Sequence, residues 1–215
     1  MRQTGVVQSK PGLETEGGVV SVGPAANGGT VLLVLTGRDA QSVAQLAAAS
    51  GLSPGETIRQ LQSLTRHGFI IAGSPDAEGV SIYRLNPKGV RTDELGPHQR
   101  ILVVDDADAL RRLMQIILED EGYAVITTAV QEDAVVLLRE VAFDLVITDS
   151  FSQRLSGAFL NTAEVLEAAE ATPVALFSAH RMELAPAQAA GFRDLIAKPF
   201  DIDVLSRQVR ALLTI

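Results

Sequence analysis

The C-terminal half of this sequence alternates short apolar runs with segments of helical length, and no other feature constrains the fold as strongly. Five apolar runs, each of strand length, lie at 100–105, 124–129, 144–149, 173–178 and 194–198. Strands that alternate with helices along a chain pair in parallel, through right-handed crossovers. The pattern therefore predicts an α/β fold with a doubly wound, five-stranded parallel sheet over residues 99–215.

Polar residues stand at the ends of four of these five runs. Asp105 and Asp106 close the first run, Asp149 the third, Ser178 the fourth and Lys198 the fifth. In an open parallel sheet, ligands bind outside the carboxyl ends of the strands. We therefore expect these side chains to line one site.

The residue types at these strand ends indicate what the site binds. Neighbouring carboxylates repel one another, and a divalent cation offsets that repulsion. Mg²⁺ takes oxygen ligands, usually one or two carboxylates together with phosphate oxygens. A lysine supplies a point charge for a phosphoryl oxygen, and a serine hydroxyl can hydrogen-bond another. The pattern predicts a site for magnesium and a phosphoryl group.

Four segments, "ILVVDD", "FDLVITD", "ALFSA" and "AKPF", resemble in order and spacing the motifs of the two-component response-regulator receiver domain. The resemblance implies a flavodoxin-like receiver fold, with Asp149 as the residue that is phosphorylated. It also implies that Lys198 contacts the phosphoryl oxygens, that Ser178 is a switch residue, and that the peptide bond before Pro199 is cis. The Mg²⁺ ligands that it implies are Asp105, Asp106, Asp149 and the backbone carbonyl of Phe151. A receiver catalyses only its own phosphorylation and dephosphorylation, so the resemblance does not imply an enzyme.

Two departures from the receiver pattern affect the expected signalling. Leu195 stands at the second switch position, where the family usually has an aromatic residue whose ring movement reports phosphorylation. A leucine cannot make that movement. After the acceptor aspartate, Gln153 replaces an expected proline and Phe151 introduces an aromatic ring. We hypothesise that Phe151 and His180 shield the acyl phosphate and slow its hydrolysis.

The N-terminal half is predicted to form a second, smaller domain at 26–86, with helices and a hairpin. A flexible arm at 1–25 precedes it, and a linker at 87–98, rich in Pro, Gly and charge, follows it. The order of three helices and a hairpin resembles a winged helix–turn–helix domain.

The third helix of this domain, residues 53–67, is the expected recognition helix. Ser53 is a favourable N-cap, and Ile58, Leu61 and Leu64 are expected to form its buried stripe. The turn at 74–79 would be the tip of the wing.

Several side chains of this domain are candidates for contacts with DNA. Arginine and glutamine are the residue types that read guanine and adenine edges in the major groove. The positions expected to be exposed toward the groove are Ser53, Glu56, Arg59, Gln60 and Ser63, and those expected to reach phosphates are Arg66 and Arg84. Residues 1–97 carry eight basic and eight acidic residues, so the electrostatic attraction to DNA is not strong.

The resemblance therefore favours a phosphorylation-responsive transcriptional regulator. Its expected partners are a sensor histidine kinase or phosphotransfer protein, DNA, and a second copy of the chain. The expected homodimer surface includes the helix at 201–213, where Leu205, Val209 and Leu212 form one stripe at helical spacing. Most of that stripe is expected to be core. Phosphorylation would alter dimerisation or release the N-terminal domain.

Two other functions remain open. The first is a protein-interaction adaptor in which the winged helix binds a protein, with a divergent receiver that is either phosphorylated or not. The second is a magnesium-dependent phosphatase that uses Asp106 and Asp108 as an Asp-x-Asp pair, although Asp149 with Lys198 fits a receiver better.

We expect a cytoplasmic protein that does not span or bind a membrane. The longest apolar runs, such as 31–35, are far shorter than the roughly 18 residues that a membrane span needs. The sequence does not begin like a signal peptide. It contains no cysteine, which excludes disulfides and thiolate metal sites.

Overall fold

The computed structural model describes residues 29–86, 98–149, 162–179 and 183–214. We call residues 29–86 the N-terminal block and residues 98–214 the receiver block. The sequence predictions that lie outside the described residues concern the arm at 1–25, linker residues 87–97, Phe151, Gln153 and His180.

The N-terminal block contains three helices followed by a hairpin, in the predicted order. The elements are α1 (Gly29–Leu35), β1 (Gln41–Ser42), α2 (Val43–Ser50), α3 (Pro54–Arg66), β2 (Ile70–Ala72) and β3 (Ile82–Leu85). The strands form one antiparallel sheet in the order β1–β3–β2. Strand β1 was not predicted, because two residues are too short to show an alternating pattern.

Both α2 and α3 begin with a capping box. The hydroxyl of Ser53 accepts from the backbone N–H of Glu56, and the Glu56 carboxylate accepts from the backbone N–H of Ser53. Ser42 and Gln45 make the same reciprocal pair in α2. Each box satisfies two backbone donors that a helix start leaves without partners, which explains why α3 begins where the sequence predicts.

The buried face of α3 differs from the predicted one. Ile58 is 44% exposed, whereas Leu61 and Leu64 are buried together with Thr57. A helix turns about 100° per residue, so positions 57, 61 and 64 lie on one face and position 58 lies well away from it. The predicted stripe followed apolar character and overlooked the buried threonine.

The receiver block alternates strand and helix, as predicted. Its elements are β4 (Arg100–Val104), α4 (Asp108–Asp120), β5 (Ala124–Thr128), α5 (Gln131–Glu140), β6 (Leu145–Asp149), α6 (Ala163–Ala169), β7 (Val174–Ser178), α7 (Leu184–Ala189), β8 (Asp194–Ala197) and α8 (Ile202–Leu213). All five strands are parallel, in the order β5–β4–β6–β7–β8. The strand order reverses direction at β4, so the crevice beside β4 and β6 is where such a sheet binds ligands.

Successive residues of each strand point to opposite faces of the sheet and build two apolar layers. One layer packs the sheet against α4 and α8, and it includes Met114, Leu118 and Phe177. The stripe of Leu205, Val209 and Leu212 lies in this layer, with exposures of 0%, 0% and 5%. The expectation that most of this stripe is core is confirmed, and the homodimer surface stays a prediction.

Among the described residues, none of the helices combines the length and the apolar character needed to cross a membrane.

Candidate functional site

Three aspartates meet at the carboxyl edge of the parallel sheet. Asp105 and Asp106 follow β4, and Asp149 is the last residue of the neighbouring β6. One carboxylate oxygen from each of them lies within 4.8 Å of the others. Asp105 is fully buried, Asp149 is partly buried and Asp106 is exposed, so the cluster opens to solvent on one side.

Lys198 reaches this cluster from the end of β8, the strand at one edge of the sheet. It follows β8 directly, and its Nζ donates to Asp105 Oδ2 at 2.6 Å and to Asp149 Oδ1 at 2.9 Å. The ammonium group also lies 4.3 Å from the centre of the Phe177 ring, a favourable cation–π contact. The peptide bond between Lys198 and Pro199 is cis. Three carboxylates and one ammonium group leave the cluster with an excess of negative charge.

Arg111 holds the loop that carries the first two aspartates. Its side chain is buried, and Nη1 donates to the backbone carbonyls of Asp105 and Asp106 at 2.7 and 3.1 Å. Asp105 Oδ1 accepts from the backbone N–H of Ala107 at 2.8 Å. The position of the two carboxylates thus depends on an arginine that the sequence analysis missed. The sequence feature that could have pointed to Arg111 is its place on the first turn of α4, three residues after Asp108. The two side chains form an ion pair at 2.9 Å.

Asp108 does not belong to the carboxylate cluster. Its two oxygens lie 2.9 Å from Arg111 Nη2 and 3.2 Å from Arg112 Nε. Both oxygens of Asp108 are thus engaged in ion pairs, whereas the phosphatase alternative requires this carboxylate as part of its Asp-x-Asp pair.

Ser178 lies on β7, which is next to β6, and Leu195 lies on β8, one strand further along the sheet. Ser178 ends β7 and is 1% exposed, and its carbonyl accepts from the backbone N–H of Lys198 at 2.8 Å. The register of β6 and β7 pairs Asp149 with Phe177, so Ser178 lies one residue beyond the acceptor candidate. Leu195 is partly buried in β8, opposite Leu176.

The predicted DNA-facing residues of α3 fall into three groups. Arg59, Ser63 and Arg66 are exposed, as expected. Ser53 and Glu56 are exposed, but their side chains form the capping box, and the hydrogen bonds from Ser53 lower the pKa of Glu56 below its ordinary value.

Gln60 is the third case. The expectation that it is exposed is wrong, because its side chain is only 9% exposed. Position 60 lies on the same face as Leu61 and Leu64, whereas Gln62, two positions further along the helix, is exposed.

Arg84 and the predicted wing follow α3. Arg84 is exposed in β3, where it pairs with Ile71 of β2. The turn between these strands is organised by Asp76, whose Oδ1 accepts from the backbone N–H groups of Glu78 and Val80 at 2.9 and 2.8 Å. The negative charge at this tip therefore has a structural function.

Comparisons with known proteins agree with this arrangement. The model of the response-regulator receiver domain matches residues 101–210, just over half of the chain. The model of the IclR helix-turn-helix domain matches residues 24–71.

Individual relatives match the chain in part. The transcriptional regulatory protein ResD of Bacillus subtilis is 32% identical over 116 residues, which cover 53% of this chain and 48% of ResD. The DNA-binding response regulator MtrA of Mycolicibacterium smegmatis is 31% identical over 115 residues, covering 53% of this chain and 50% of MtrA. The chain thus spans about half the length of the curated relatives it matches.

A solved structure shows the same fold. The crystal structure of a response regulator from Thermotoga maritima superposes with a TM-score of 0.50 and 26% identity, over 55% of this chain and 100% of that one. The chain therefore belongs to the response-regulator receiver family, and an IclR-type helix–turn–helix domain precedes its receiver domain.

Proposed function

We propose that this protein accepts a phosphoryl group on Asp149 and thereby regulates transcription through its helix–turn–helix domain. The observation that carries the proposal is the position of Lys198 Nζ between the carboxylates of Asp105 and Asp149, beside Asp106. One fully buried, one partly buried and one exposed carboxylate, with a lysine at the edge of a parallel sheet, suit the binding of a cation and a phosphoryl group together.

Asp149 is the best placed of the three aspartates to act as the acceptor. Asp105 is fully buried, with one oxygen held by the Ala107 amide and the other by Lys198. The Asp149 side chain is 17% exposed, which leaves a path for a phosphoryl donor. In the transfer, a carboxylate oxygen of Asp149 forms a bond to phosphorus as the bond from phosphorus to the donor breaks, and that electron pair leaves with the donor.

The residues of the cluster fit a magnesium ion. Asp105, Asp106 and Asp149 offer hard oxygen ligands within 4.8 Å of one another, and one lysine does not balance their charge. When bound, Mg²⁺ would neutralise charge on the phosphoryl oxygens. The fourth proposed ligand, the carbonyl of Phe151, lies outside the described residues.

Lys198 is proposed to hold the phosphoryl group once it is attached. Its ammonium group already lies within hydrogen-bond distance of Asp149, so it can pass from the carboxylate to a phosphoryl oxygen by a small movement. Ser178, at the end of the adjacent strand, is the proposed second contact. Leu195 occupies the other switch position without a ring that could rotate.

The exposed face of α3 is proposed to enter the major groove of DNA. This face carries Arg59, Gln62, Ser63 and Arg66, and Gln62 takes the place that the sequence analysis gave to Gln60. Arg84 is placed to reach a phosphate. The names of MtrA, a DNA-binding response regulator, and ResD, a transcriptional regulatory protein, support this function. A histidine kinase or phosphotransfer protein is the proposed donor, and a second copy of the chain is a proposed partner on DNA.

Incubation with acetyl phosphate and Mg²⁺, followed by intact-mass measurement, tests the acceptor. The wild type gains the mass of one phosphoryl group, and Asp149→Asn gains none. Asp203→Asn, which changes an exposed aspartate of α8, serves as the matched control and is phosphorylated normally. Equal phosphorylation of Asp149→Asn would contradict the proposal.

One observation favours the adaptor as a second candidate. Ile58 on α3 is 44% exposed, and Val80 and Ile82 near the hairpin are 39% and 42% exposed. Exposed apolar side chains of this kind suit a protein partner better than a phosphate backbone. A mobility-shift assay at several salt concentrations separates the two, because DNA binding weakens steeply with added salt.

A further inference from the structure

The apolar core of the N-terminal block continues into the receiver block. Helix α1 packs against α5 and β5 as well as against α2 and α3. Val31, Leu32 and Leu35 of α1 are at most 1% exposed, and they belong to the same cluster of buried side chains as Leu137 and Leu138 of α5. Helix α1 therefore contributes to the cores of both blocks.

Two aromatic residues extend this contact. Phe69 follows α3 and is 1% exposed, and Phe143 precedes β6 and is 7% exposed. Their ring centres are 5.9 Å apart. The N–H of Phe69 donates to the carbonyl of Leu64 at 2.9 Å, which holds the backbone of Phe69 beside the last turn of α3.

The C-terminal end of α3 is capped by an arginine of the receiver block. Arg100, the first residue of β4, donates from Nε to the carbonyl of His67 at 3.2 Å and from Nη2 to the carbonyl of Gly68 at 2.9 Å. Its guanidinium lies 4.8 Å from the centre of the Phe69 ring. The carbonyl of His67, the C-cap residue of α3, lacks a partner within the helix and lies at the negative end of the helix dipole, so a cation there is stabilising. The Gly68 carbonyl lies one residue beyond and also accepts from Asn86 Nδ2 at 2.7 Å.

Arg100 is in turn fixed to the parallel sheet. Its backbone N–H donates to Asp144 Oδ2 at 2.7 Å, and its carbonyl accepts from Asp144 N–H at 2.8 Å. Strand β4 runs from Arg100 to Val104, and Asp105 of the carboxylate cluster comes next. A single buried strand thus connects the end of α3 with the candidate phosphoryl site.

We propose that Arg100 is an inter-domain cap, through which the receiver domain fixes the orientation of α3 and joins the two blocks into one rigid body. The guanidinium supplies the hydrogen-bond donors, and the shared apolar core supplies the burial that strengthens them. In this arrangement, a signal changes how whole chains assemble or deform and does not release a tethered N-terminal block. The proposal depends on neither phosphorylation nor DNA binding.

Distance measurement between spin labels tests the rigid body directly. The chain contains no cysteine, so Gln62→Cys and Glu167→Cys, both at exposed positions, accept nitroxide labels without side reactions. Double electron–electron resonance is expected to give one narrow distance distribution in the otherwise wild-type chain. A broad distribution there would overturn the proposal.

Arg100→Met in the same labelled chain tests the cap, because methionine keeps an apolar stem and removes the donors. We expect a broadened distribution and at least about ten-fold faster amide hydrogen exchange over residues 63–72, as for the loss of charged hydrogen bonds. Arg100→Lys keeps the positive charge and is expected to restore part of the protection. Arg207→Met, at an exposed position of α8, is the control and changes neither measurement.

Arg100→Met with a narrow distribution and unchanged exchange would overturn the capping role. Should Arg100→Met fail to fold, as judged by circular dichroism, Arg100→Lys decides the question. Exchange and distance distributions in Arg100→Lys equal to those of the wild type would then show that the guanidinium fork is not needed.

Discussion

At the scale of single residues, Lys198 links the carboxylates of the cluster. Its ammonium group lies between the carboxylates of Asp105 and Asp149. Asp105 is fully buried, and a buried carboxylate without a partner is strongly destabilising. Lys198 is therefore expected to stabilise the fold, in addition to the role toward the phosphoryl group that we propose for it.

Removal of the Lys198 charge should destabilise the protein and make it depend on magnesium. Lys198→Met is expected to lose roughly 3 kcal/mol of unfolding free energy, as for the breaking of a buried ion pair. Added Mg²⁺ should restore more stability to this variant than to the wild type, because the ion replaces the lost charge. Thermal unfolding with and without Mg²⁺ measures both effects. A Lys198→Met chain as stable as the wild type would contradict the role of the ion pair.

Arg111 and Arg112 offer a matched pair for testing the loop. Both contact Asp108, but Arg111 is 7% exposed and also holds the carbonyls of Asp105 and Asp106, whereas Arg112 is 61% exposed. Arg111→Lys should raise the Mg²⁺ concentration needed for half-maximal phosphorylation several-fold and leave the rate at saturating Mg²⁺ nearly unchanged. Arg112→Lys should change neither quantity. Equal effects in the two variants would show that Arg111 does not position the carboxylates.

At the scale of elements, α3 combines a well-defined beginning with a face that was predicted incorrectly. Its capping box at Ser53 and Glu56 is local, so the sequence predicts it. The burial of Thr57 and Gln60 depends on how α3 packs against α2 and β2, and no local pattern indicates it.

The corrected face of α3 makes a prediction about DNA recognition. Gln62→Ala should reduce the discrimination between the preferred DNA site and a one-base variant by about ten-fold, within the range for one base contact. Gln60→Ala should leave this discrimination unchanged, because the Gln60 side chain is buried. Binding to a library of DNA sites, measured for both variants, checks the assignment. A changed site preference in Gln60→Ala alone would support the original prediction.

The parallel sheet is the element that the sequence predicts best. Its five apolar runs coincide with β4 to β8 to within one or two residues, and the polar strand ends bring Asp105, Asp106, Asp149 and Lys198 together. Alternation and strand ends are properties of local sequence, which explains this agreement. Arg100 could not be assigned in this way, because the carbonyls that its side chain contacts, those of His67 and Gly68, lie 33 and 32 residues away in the sequence. Arg111 offered only its spacing from Asp108, which does not by itself indicate the contacts with the carbonyls of Asp105 and Asp106.

At the scale of the whole molecule, the contact between the two blocks contains a histidine pair. The rings of His67 and His98 lie 5.3 Å apart in an edge-to-face arrangement, close to the Arg100 cap. Burial lowers the pKa of His67, and the charges of His98, Arg66 and Arg100 lower it further, whereas a hydrogen bond with the Ser63 backbone raises it. Protonation of His67 therefore opposes the packed contact between the two blocks.

Acidification should loosen the contact between the blocks. Unfolded His67 takes up a proton near its ordinary pKa of 6.5, and folded His67 does so only at lower pH. The contribution of His67 to the unfolding free energy is thus fully present above pH 6.5. It is lost as the pH falls from there through the lower pKa of the folded state. Urea unfolding from pH 7.5 to pH 5 measures the decrease, and His67→Gln should make it smaller. An identical pH dependence in His67→Gln would assign the effect to other groups.

We propose that the carboxylate cluster holds a phosphoryl group on Asp149 together with magnesium. Fluorine-19 NMR with beryllofluoride tests it most directly, because this phosphoryl mimic is not lost by hydrolysis. We predict bound fluorine signals for the wild type and for Asp203→Asn only when Mg²⁺ is present, and none for Asp149→Asn. Absence of bound signals in the wild type, or equal signals in Asp149→Asn, would contradict the claim.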